Sequence, residues 1–593
     1  MAVFRLVVAG GAGQPYEMFR KGILGFLVML FSLASASAET VSERMDGIVE
    51  PIAYWADKIV FFSIPVGGGQ SAPVVLILLA FTAIFLSFYF KFINARAFGL
   101  AIKTVKGKYS KKDDPGQITH FQALATALSA TVGLGNIAGV AVAIGIGGPG
   151  SVFWMVIMGF LGMSSKFTEC TLGVKYRNID ADGKVHGGGM RYLEKGLGER
   201  GLGGLGKVLA ILFAIACVGG ALGAGNMFQM NQSAQQVTET FGIFGNGQEW
   251  ILGAIVAVAV GAVILGGIVS IARVTAFLVP FMTIIYVIAC VVVLFGYIGD
   301  VPAALGVIVS EAFSAEAGLG GFIGGLIQGI KRGVFSNEAG LGSAAIAHAP
   351  VKTRKPASEG VVALLEPFID TVVICLMTAL VIVVTGVWKV DASLAGEATI
   401  FSEANAQSEV VKSLEASDLV KVTGASIGDV TEAGGEWVQV KTQEGDAAGF
   451  IALESLKDRT GWSGGIWLTS RSFGSVISWF PYVLTVAVVL FAFSTMISWS
   501  FYGEQAIDYL TGNNKTAVLI YKVVFCLCVV LGAGASLQNV LKLSDAMYFA
   551  MVLPNLIGLY FLLPVVKKEL AEFQRFAKRV DEGATLDEAE RAE

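Results

Sequence analysis

The sequence has few charged residues and very few histidines. Of its 593 residues, 15% are Asp, Glu, Lys or Arg and three are His, whereas 54% are hydrophobic and the mean hydropathy is +0.69. Soluble domains carry about 25% charged residues. The composition therefore excludes an ordinary soluble protein and predicts an integral membrane protein, and no nucleic-acid partner is expected.

Motifs for metal binding and catalysis are also missing. The six cysteines all fall inside apolar runs, where a thiol behaves as a small apolar residue, and none has CxxC spacing. The loop 187–206 lacks GK[ST], and the glycine-rich "GLGNIAG" follows no β-strand, which argues against a P-loop ATPase and a dinucleotide site. Since no nucleophile and base pair stands out either, no organic cofactor and no enzyme activity is predicted.

Long apolar runs dominate what is present. A helix needs about 20 apolar residues to cross the hydrocarbon core of a membrane. Eleven runs meet this requirement and predict an all-α polytopic membrane protein, namely 71–90, 121–147, 151–172, 208–237, 251–272, 274–299, 319–345, 361–388, 473–503, 516–537 and 546–566.

The loops between these runs alternate in charge. Lys and Arg collect in 91–112, 175–207, 331–355 and 567–579, whereas the intervening connections lack them. The positive-inside rule places the basic set and the tail 567–593 in the cytoplasm. The three histidines lie near these cytoplasmic ends, where a surface role is expected.

The N-terminus has the pattern of a secretory signal. Arg20 and Lys21 precede the apolar 23–33 and the small residues of "ASASAET", which predicts a signal peptide over 1–38, with Met18 as the natural start. An additional anchor helix is the alternative. Residues 39–70 are then extracytoplasmic, and the cut site is typical of a bacterial inner-membrane protein.

The segment 390–471 interrupts the apolar pattern on the outer side. It is charged, and apolar and polar residues alternate with a period of two within it, which predicts a small β domain. "WVQVKTQEGDAAGFI" (437–451) resembles the hairpin of a bacterial SH3-type barrel. The insertion is either a passenger or a module that binds the cell wall or a protein partner.

The remaining runs divide into two sets of five behind one accessory helix at 71–93. The first set occupies 118–299, and the second occupies 311–389 and 472–566. Each set opens with a glycine-interrupted helix, and crossing five helices reverses the chain direction, so the two halves are predicted to form an inverted repeat. Paired interrupted helices of this kind mark the midplane site of a transporter.

The first interruption, "SATVGLGNIAGVAVAIGIGGPG" (129–150), has the chemistry for two ligands. Backbone groups freed inside a membrane are costly unless something satisfies them. The amides of Gly133, Leu134 and Gly135 suit a carboxylate at the start of the resumed helix, and the carbonyls from Ser129 to Val132 suit Na⁺. An amino acid with its coupling ion fits both, although close helix packing also explains some of the glycines.

Four longer motifs carry a family resemblance. They are "ATALSATVGLGNIAGVAVAIGIGGPGSVFWMVIMGFLG", "GVFSNEAGLGSAAIAHA", "EPFIDTVVICLMTALVI" and "FAFSTMISWSFYGEQA". The chain resembles the sodium:alanine symporters of the alanine or glycine:cation symporter family over nearly all of 121–566. That family is similar in fold to the bacterial leucine transporter, which implies the LeuT-like 5+5 inverted repeat.

The resemblance also implies site residues. The substrate set is Thr131, Gly133, Leu134, Gly135, Asn136, Asn226, Phe228, Gln229, Gly324, Gly325, Gln328 and Trp499. The sodium set is Ser129, Val132, Phe491, Ser494 and Thr495. Leu134 departs from the threonine of many family members, which leaves the choice among alanine, glycine and D-alanine open.

Two acidic residues, Glu366 and Asp370, lie on one face of a predicted membrane helix. Intramembrane acids are functional candidates by default, so both are candidates for coupling or gating, and a structural tie is the alternative. The prediction is a sodium-coupled symporter of small neutral amino acids. A proton-coupled carrier with Asp370 as relay is the nearest alternative, and a sensor that acts through 390–471 is an alternative of another class.

Overall fold

The computed structural model describes residues 41–591 apart from several short segments, and the predicted signal peptide lies outside the described residues. The segments left out are 68–69, 246, 314–317, 389, 395–396, 403–407, 416–418, 428–436, 443–446, 453–454 and 456–464.

The first half of the chain is helical apart from two short hairpins. Its elements are α1 (Val41–Val60), β1 (Ser63–Gly67), β2 (Gln70–Pro73), α2 (Val74–Tyr89), α3 (Ile93–Arg96), α4 (Phe98–Val105), α5 (His120–Thr131), a π-helical turn (Gly135–Gly139), α6 (Val140–Gly147), α7 (Gly150–Lys175), β3 (Asn178–Ile179), β4 (Val185–His186), α8 (Gly189–Glu199), α9 (Gly203–Leu222), a π-helical turn (Gly223–Met227), α10 (Phe228–Phe241), α11 (Glu249–Ile264), α12 (Gly267–Gly296) and α13 (Val301–Ala312).

The second half contains the β insertion between two groups of helices. Its elements are α14 (Gly318–Asn337), α15 (Ala344–His348), α16 (Pro356–Ala363), α17 (Leu365–Pro367), a π-helical turn (Phe368–Cys375), α18 (Leu376–Val384), β5 (Val390–Ser393), β6 (Ala398–Phe401), β7 (Val410–Leu414), β8 (Leu419–Ile427), β9 (Trp437–Thr442), β10 (Ala448–Ala452), α19 (Ile466–Gly474), α20 (Phe480–Leu510), α21 (Lys515–Gly534), α22 (Leu537–Phe549), α23 (Val552–Asp581) and α24 (Leu586–Arg591).

The glycine-rich stretch breaks a helix as predicted. Thr119 and Gln122 form a capping box that starts α5, and the helix ends at Thr131 because the following glycines do not hold helical geometry. The chain resumes in the π-helical turn and α6, and the two halves are bent by 51°.

The second interrupted helix breaks over a longer stretch. After α14 the backbone adopts left-handed conformations at Glu338, Gly340 and Gly342, with φ of 59°, 92° and 82°. Only glycine adopts such angles without strain. The chain becomes helical again in α15, which is five residues long. Both predicted breaks are therefore present.

The number of membrane spans is confirmed only in part. Seven described helices are long and apolar enough to cross a membrane, and eight if the bent pair α5 and α6 counts as one span. The predicted spans 71–90 and 251–272 contain helices of 16 residues, α2 and α11. The boundary predicted after residue 272 lies earlier, because Gly267 with φ of 64° starts α12.

One face of α12 is apolar and not covered by other described parts of the protein. Phe277 and Phe295 are 73% and 75% exposed, and Ile284 and Ile288 are each 57% exposed. A stripe of this kind would be unfavourable in water, and it fits a helix that faces lipid. It supports the reading of the chain as a polytopic membrane protein.

The insertion is a sheet. Its described strands pair in the order β5-β8-β9-β10-β6-β7, with antiparallel pairing between neighbours. This linear order does not establish the closed SH3-type barrel suggested by the hairpin at 437–451. Strand β8 packs against α6, so the insertion touches the outer end of the first interrupted helix.

Lys331 and Arg332, counted above with the basic set, lie inside α14 and pair with Asp545 of α22. The basic stretches 103–112 and 352–355 meet α23 at one end of the bundle. We call this the inner end, following the predicted orientation, and the opposite end the outer end. Helix α5 and the short α15 belong to the inner halves of the two interrupted helices, and α6 and α14 belong to the outer halves.

Glycine permits the close approach of α7 and α16. A methyl group added at Gly360 would lie 2.0 Å from Thr171 Oγ1 and 2.6 Å from the carbonyl oxygen of Phe167. We expect Gly360→Ala to lower the free energy of unfolding by about 1–3 kcal/mol through overpacking. Thermal unfolding of the detergent-solubilised protein measures this change.

Gly306 provides the matched control, because it lies in α13 with no atom within 4 Å of an added methyl group. Gly306→Ala should leave stability unchanged or raise it by up to about 1 kcal/mol through helix propensity. Equal melting temperatures for the two variants would contradict the proposed packing.

Candidate functional site

The freed amides of the first break are satisfied by two side chains. The amide of Gly133 donates to Asn136 Oδ1 at 2.9 Å, and the amide of Leu134 donates to Gln229 Oε1 at 3.1 Å. Gln229 reaches the break from α10 and is itself held by a bond from Nε2 to the carbonyl of Ala224. Neutral amide oxygens thus occupy the positions predicted for a carboxylate.

Oxygen atoms from α5 and α20 converge beside this break. Thr495 Oγ1 donates to the carbonyl of Ser129 at 2.9 Å, and Ser129 Oγ donates to the carbonyl of Ser494 at 2.7 Å. Ser494 Oγ donates to the carbonyl of Phe491 at 3.0 Å, and Val132 is fully buried next to them. The predicted sodium residues therefore form one cluster of oxygens between two helices, which suits a hard cation.

Aromatic rings close the sides of the site. Trp499 donates from Nε1 to the carbonyl of Ala130 at 3.3 Å, and its ring lies so close to Gly225 that no side chain fits there. Phe228 packs edge-on against Phe335, with ring centroids 5.3 Å apart.

A second polar cluster joins the two breaks through Asp370. Asn136 Nδ2 donates to Asp370 Oδ1 at 2.6 Å and to Ser336 Oγ at 3.0 Å. Ser336 and Thr371 donate to the other carboxylate oxygen, each at 2.7 Å. Asp370 thus contacts the same asparagine that satisfies Gly133.

Several predicted substrate residues lie elsewhere. Gly325 is close to Gly147 and Ser151, and Gln328 is also beside Gly147, at the outer ends of α6 and α7. Gly324, one residue earlier in α14, has no atom within 4 Å of its Cβ position. The part of α14 that meets the first break is instead 335–336, where Ser336 is the nearest neighbour of Gly135.

Two further predicted residues are near the break but turned away from it. Asn226 donates to the carbonyl of Phe525 in α21 at 2.6 Å, and Thr131 donates to the carbonyl of Ala127 in its own helix. Sequence reasoning missed Ser336 and Phe335. The available signal was the position of "FSN" immediately before the second break.

An ion pair covers the outer side of the site. Both guanidinium nitrogens of Arg332 in α14 contact the carboxylate of Asp545 in α22, and Lys331 Nζ lies 2.9 Å from the same carboxylate. Tyr548, one turn further along α22, donates to the carbonyl of Phe335 at 3.0 Å. The residues of the break and of the oxygen cluster are also buried.

The predicted surface role of the histidines is wrong. His120, His186 and His348 are 3%, 5% and 0% exposed, and two of them belong to a buried chain of charged groups. The chain runs His120, Glu359, His348, Glu366 and Lys166.

The buried chain connects five elements. Glu359 in α16 accepts from His120 of α5 and contacts His348 of α15 at 2.5 Å. His348 Nε2 lies 3.5 Å from Glu366 Oε2, and Lys166 of α7 donates to Glu366 Oε1 at 3.0 Å. The inner halves of both interrupted helices are thereby tied to α7 and to the helix that carries Asp370.

Comparison with known proteins assigns the chain to a family. The model of the Sodium:alanine symporter family matches residues 66–417 and 446–587. The chain belongs to the sodium:alanine symporter family. The match omits 418–445, the stretch of the insertion that contains strands β8 and β9.

Curated relatives cover most of the chain. Sodium/alanine symporter AgcS of Methanococcus maripaludis is 38% identical over 507 residues, which are 85% of this chain and 95% of that protein. The "Probable sodium/glutamine symporter GlnT" of Bacillus subtilis is 30% identical over 86% of this chain and 89% of that protein. Among solved structures, MhsT in complex with L-phenylalanine aligns with a TM-score of 0.43 and 14% identity, covering 77% of this chain and 99% of that one.

The ion pair between Lys166 and Glu366 allows a prediction about the stability of this symporter-family protein. Lys166→Met leaves the buried carboxylate of Glu366 with only the longer contact to His348 among the pairs described above, at 3.5 Å. The substitution should lower the free energy of unfolding by about 3–5 kcal/mol. Lys166→Met with Glu366→Gln removes both charges, so it should recover most of that loss. Thermal unfolding of the purified variants measures both effects.

Glu366→Gln alone completes the comparison. If the double variant loses as much stability as the two single variants added together, the two residues are not a coupled pair. Lys568→Met is the control, because its exposed side chain reaches only Glu572, at 3.9 Å. Exposed pairs of this kind contribute less than about 1 kcal/mol.

Proposed function

We propose that the protein is a sodium-coupled symporter that imports small neutral amino acids by alternating access. The observation that carries this proposal is the meeting of two ligand chemistries at one break. Freed amides at Gly133 and Leu134 suit a carboxylate, and the oxygens of Ser129, Ser494 and Thr495 suit Na⁺ within a few residues. Membership of the sodium:alanine symporter family supports the same function.

The substrate carboxylate replaces the side-chain oxygen of Gln229. A carboxylate accepts stronger hydrogen bonds than a neutral amide, and the positive end of the resumed helix favours a negative charge there. Gln229 is then released from the amide of Leu134 and donates from its own Nε2 to the bound carboxylate. In this proposal Gln229 senses whether the site is loaded.

The cation couples to the substrate through α5. Na⁺ bound between Ser129 and Thr495 fixes the residues that lead directly into Gly133 and Leu134, so the carboxylate site is ordered before the amino acid binds. By linkage, each ligand then raises the affinity of the other by the same factor. We propose that Na⁺ stabilises the outward-open form in this way.

The pocket favours small side chains. The rings of Trp499, Phe228 and Phe335 surround the break, and Leu134 adds an aliphatic side chain where many family members have threonine. The relatives named above are described as alanine and glutamine symporters, which supports the amino-acid class. Within this class we propose alanine, with glycine and D-alanine as the nearest competitors.

Removal of the two hydroxyls tests the sodium site. Ser494→Ala with Thr495→Ala should weaken Na⁺ activation of alanine uptake into proteoliposomes by at least tenfold, since it removes two ligand oxygens at about 1.4 kcal/mol per tenfold change. Ser500→Ala is the matched control, because Ser500 Oγ bonds only within its own helix, to Ile497.

Uptake that ignores a Na⁺ gradient, or that is unchanged in the double variant, would contradict the sodium assignment. A thermal-shift screen gives an answer independent of flux. Alanine should raise the melting temperature more with Na⁺ than with K⁺, because ligands that bind only the folded state stabilise it by mass action.

A proton-coupled carrier is the second candidate, and the buried chain favours it. The chain runs from His120 near the inner surface to Glu366, which is one helical turn from Asp370. Asp370 bonds Asn136 beside the substrate break, so these titratable groups form a series from the inner surface toward that break, without a described contact between Glu366 and Asp370. Protons moving along it would reach the substrate site.

Asp370→Asn separates the two candidates, since the amide keeps hydrogen-bonding capacity but cannot take up a proton. Under sodium coupling the variant should retain Na⁺-driven uptake with a lowered Na⁺ affinity and no change in its pH profile. Under proton coupling, uptake driven by a pH gradient without Na⁺ should occur in the parent and disappear in the variant.

A further inference from the structure

The C-terminal segment folds back against the inner end of the molecule. After α23 the chain turns at Gly583, with φ of 108°, and forms the short helix α24. Arg579 Nη1 donates to the carbonyl of Ala589, whose side chain is fully buried. The segment 581–591 is therefore docked on the protein.

Its contacts are ion pairs to the loop that precedes the first interrupted helix. Asp581 lies 2.7 Å from Lys103 Nζ and 2.6 Å from Lys108 Nζ, and it accepts a bond from the hydroxyl of Tyr109 at 2.9 Å. Lys111 is paired with Asp587 and lies 3.5 Å from Glu590.

The same segment reaches the loop that follows the second interrupted helix. Glu590 Oε1 lies 3.5 Å from Arg354 Nη1, and Arg354 Nε lies 3.1 Å from Asp114. Lys355 Nζ stands 5.2 Å from the ring centroid of Phe576 in α23. One segment thus connects two loops that are about 240 positions apart in sequence.

These two loops are bonded to each other by their backbones. The amide of Gln117 donates to the carbonyl of Pro350 at 2.7 Å, and the amide of Lys352 donates to the carbonyl of Ile118 at 2.8 Å. A methyl group at Gly116 would lie 2.2 Å from the carbonyl oxygen of Val351. The loops therefore move as a pair, and they carry the inner halves of both interrupted helices.

Arg177 fixes the pair from the side of α7. Its guanidinium donates to four carbonyls at 2.5–2.9 Å. Nη1 bonds the carbonyls of Ala349 and Val351, and Nη2 bonds those of Pro115 and Thr353. Burial lowers the pKa of Arg177 to about 10. The side chain of Arg177 is partly buried and bonded to both loops, whereas the ion pairs of the C-terminal segment are exposed.

We propose that residues 581–591 form a latch that holds the inner halves of the interrupted helices closed. The proposal rests on the transport function proposed above. The latch joins α23 to the two loops that must leave α23 when the site opens to the inner side. Its pairs are exposed, so each is individually weak and screened by salt, and the latch is releasable for that reason.

Hydrogen exchange of the full chain in lipid nanodiscs tests the latch. Asp587→Lys with Glu590→Lys reverses the charges that face Lys111 and Arg354. We expect amide exchange in 119–131 and 344–353 to rise by about threefold or more, because opening of these segments becomes more frequent. The parent in 1 M salt should move in the same direction, since the Debye length is then about 3 Å.

Glu572→Lys is the control. It makes the same kind of charge reversal in α23, outside the latch, and this carboxylate lies 3.9 Å from Lys568 of its own helix. The control should leave exchange in 119–131 and 344–353 at the parent level. A chain truncated after Gly583 should reproduce the latch variant if Asp581 alone cannot hold the loops.

Equal exchange in the latch variant and the parent, or an equal rise in latch and control variants, would overturn the proposal. Uptake adds a second measurement. An inward-open bias reduces the fraction of protein ready to bind outside, so the apparent KM for alanine should rise about two- to fivefold in the latch variant. If alanine is not transported at all, the proposed function fails while the exchange result still decides the latch.

Discussion

A polar backbone group cannot remain unpaired inside a membrane, and the structure depends on this constraint at its two helix breaks. Interrupting α5–α6 and α14–α15 frees amides and carbonyls at depth, where each unsatisfied group costs several kcal/mol. Side chains from other helices supply the partners. Asn136 and Gln229 serve the first break, and Asn555 of α23 donates to the carbonyl of Gly340 at the second. The breaks therefore determine which helices must be neighbours.

The same constraint explains why a break can bind ligands. The partners at the first break are neutral side-chain amides, so a carboxylate or a cation can replace them without leaving a backbone group unpaired. A continuous helix offers no such exchange, because its internal bonds are already made. Asn136 is special in this respect, since it joins the amide of Gly133 to Asp370 and Ser336, and a ligand that changes one contact changes all of them.

The sequence was sufficient for features that depend on local composition. Apolar length predicted a polytopic helical protein, and glycine clusters placed both breaks. Ser494 and Thr495 were implied by the family resemblance, and they do meet Ser129. Features that depend on distant packing were not predictable. Lys166 lies beside Glu169 in sequence but pairs with Glu366, the histidines are buried by helices hundreds of positions away, and Ser336 was missed because helical phase near a break is not readable from glycine spacing. The span boundary at Gly267 was missed for a similar reason, since a single left-handed glycine leaves the apolar pattern intact.

The distribution of charged contacts indicates where the molecule can move. Separating α5 or α15 from α16 and α7 would expose or unpair the buried chain from His120 to Lys166, which is strongly unfavourable. These elements are therefore expected to move as one body. The surface between α5 and α20 contains no charged pair among the described residues, only hydroxyls and carbonyls around Ser129 and Thr495. Movement there breaks weak contacts, so a cation bound at that surface has the greatest effect on which conformation is populated. The coupling ion is thus proposed to act at an interface that has no charged pair among the described residues.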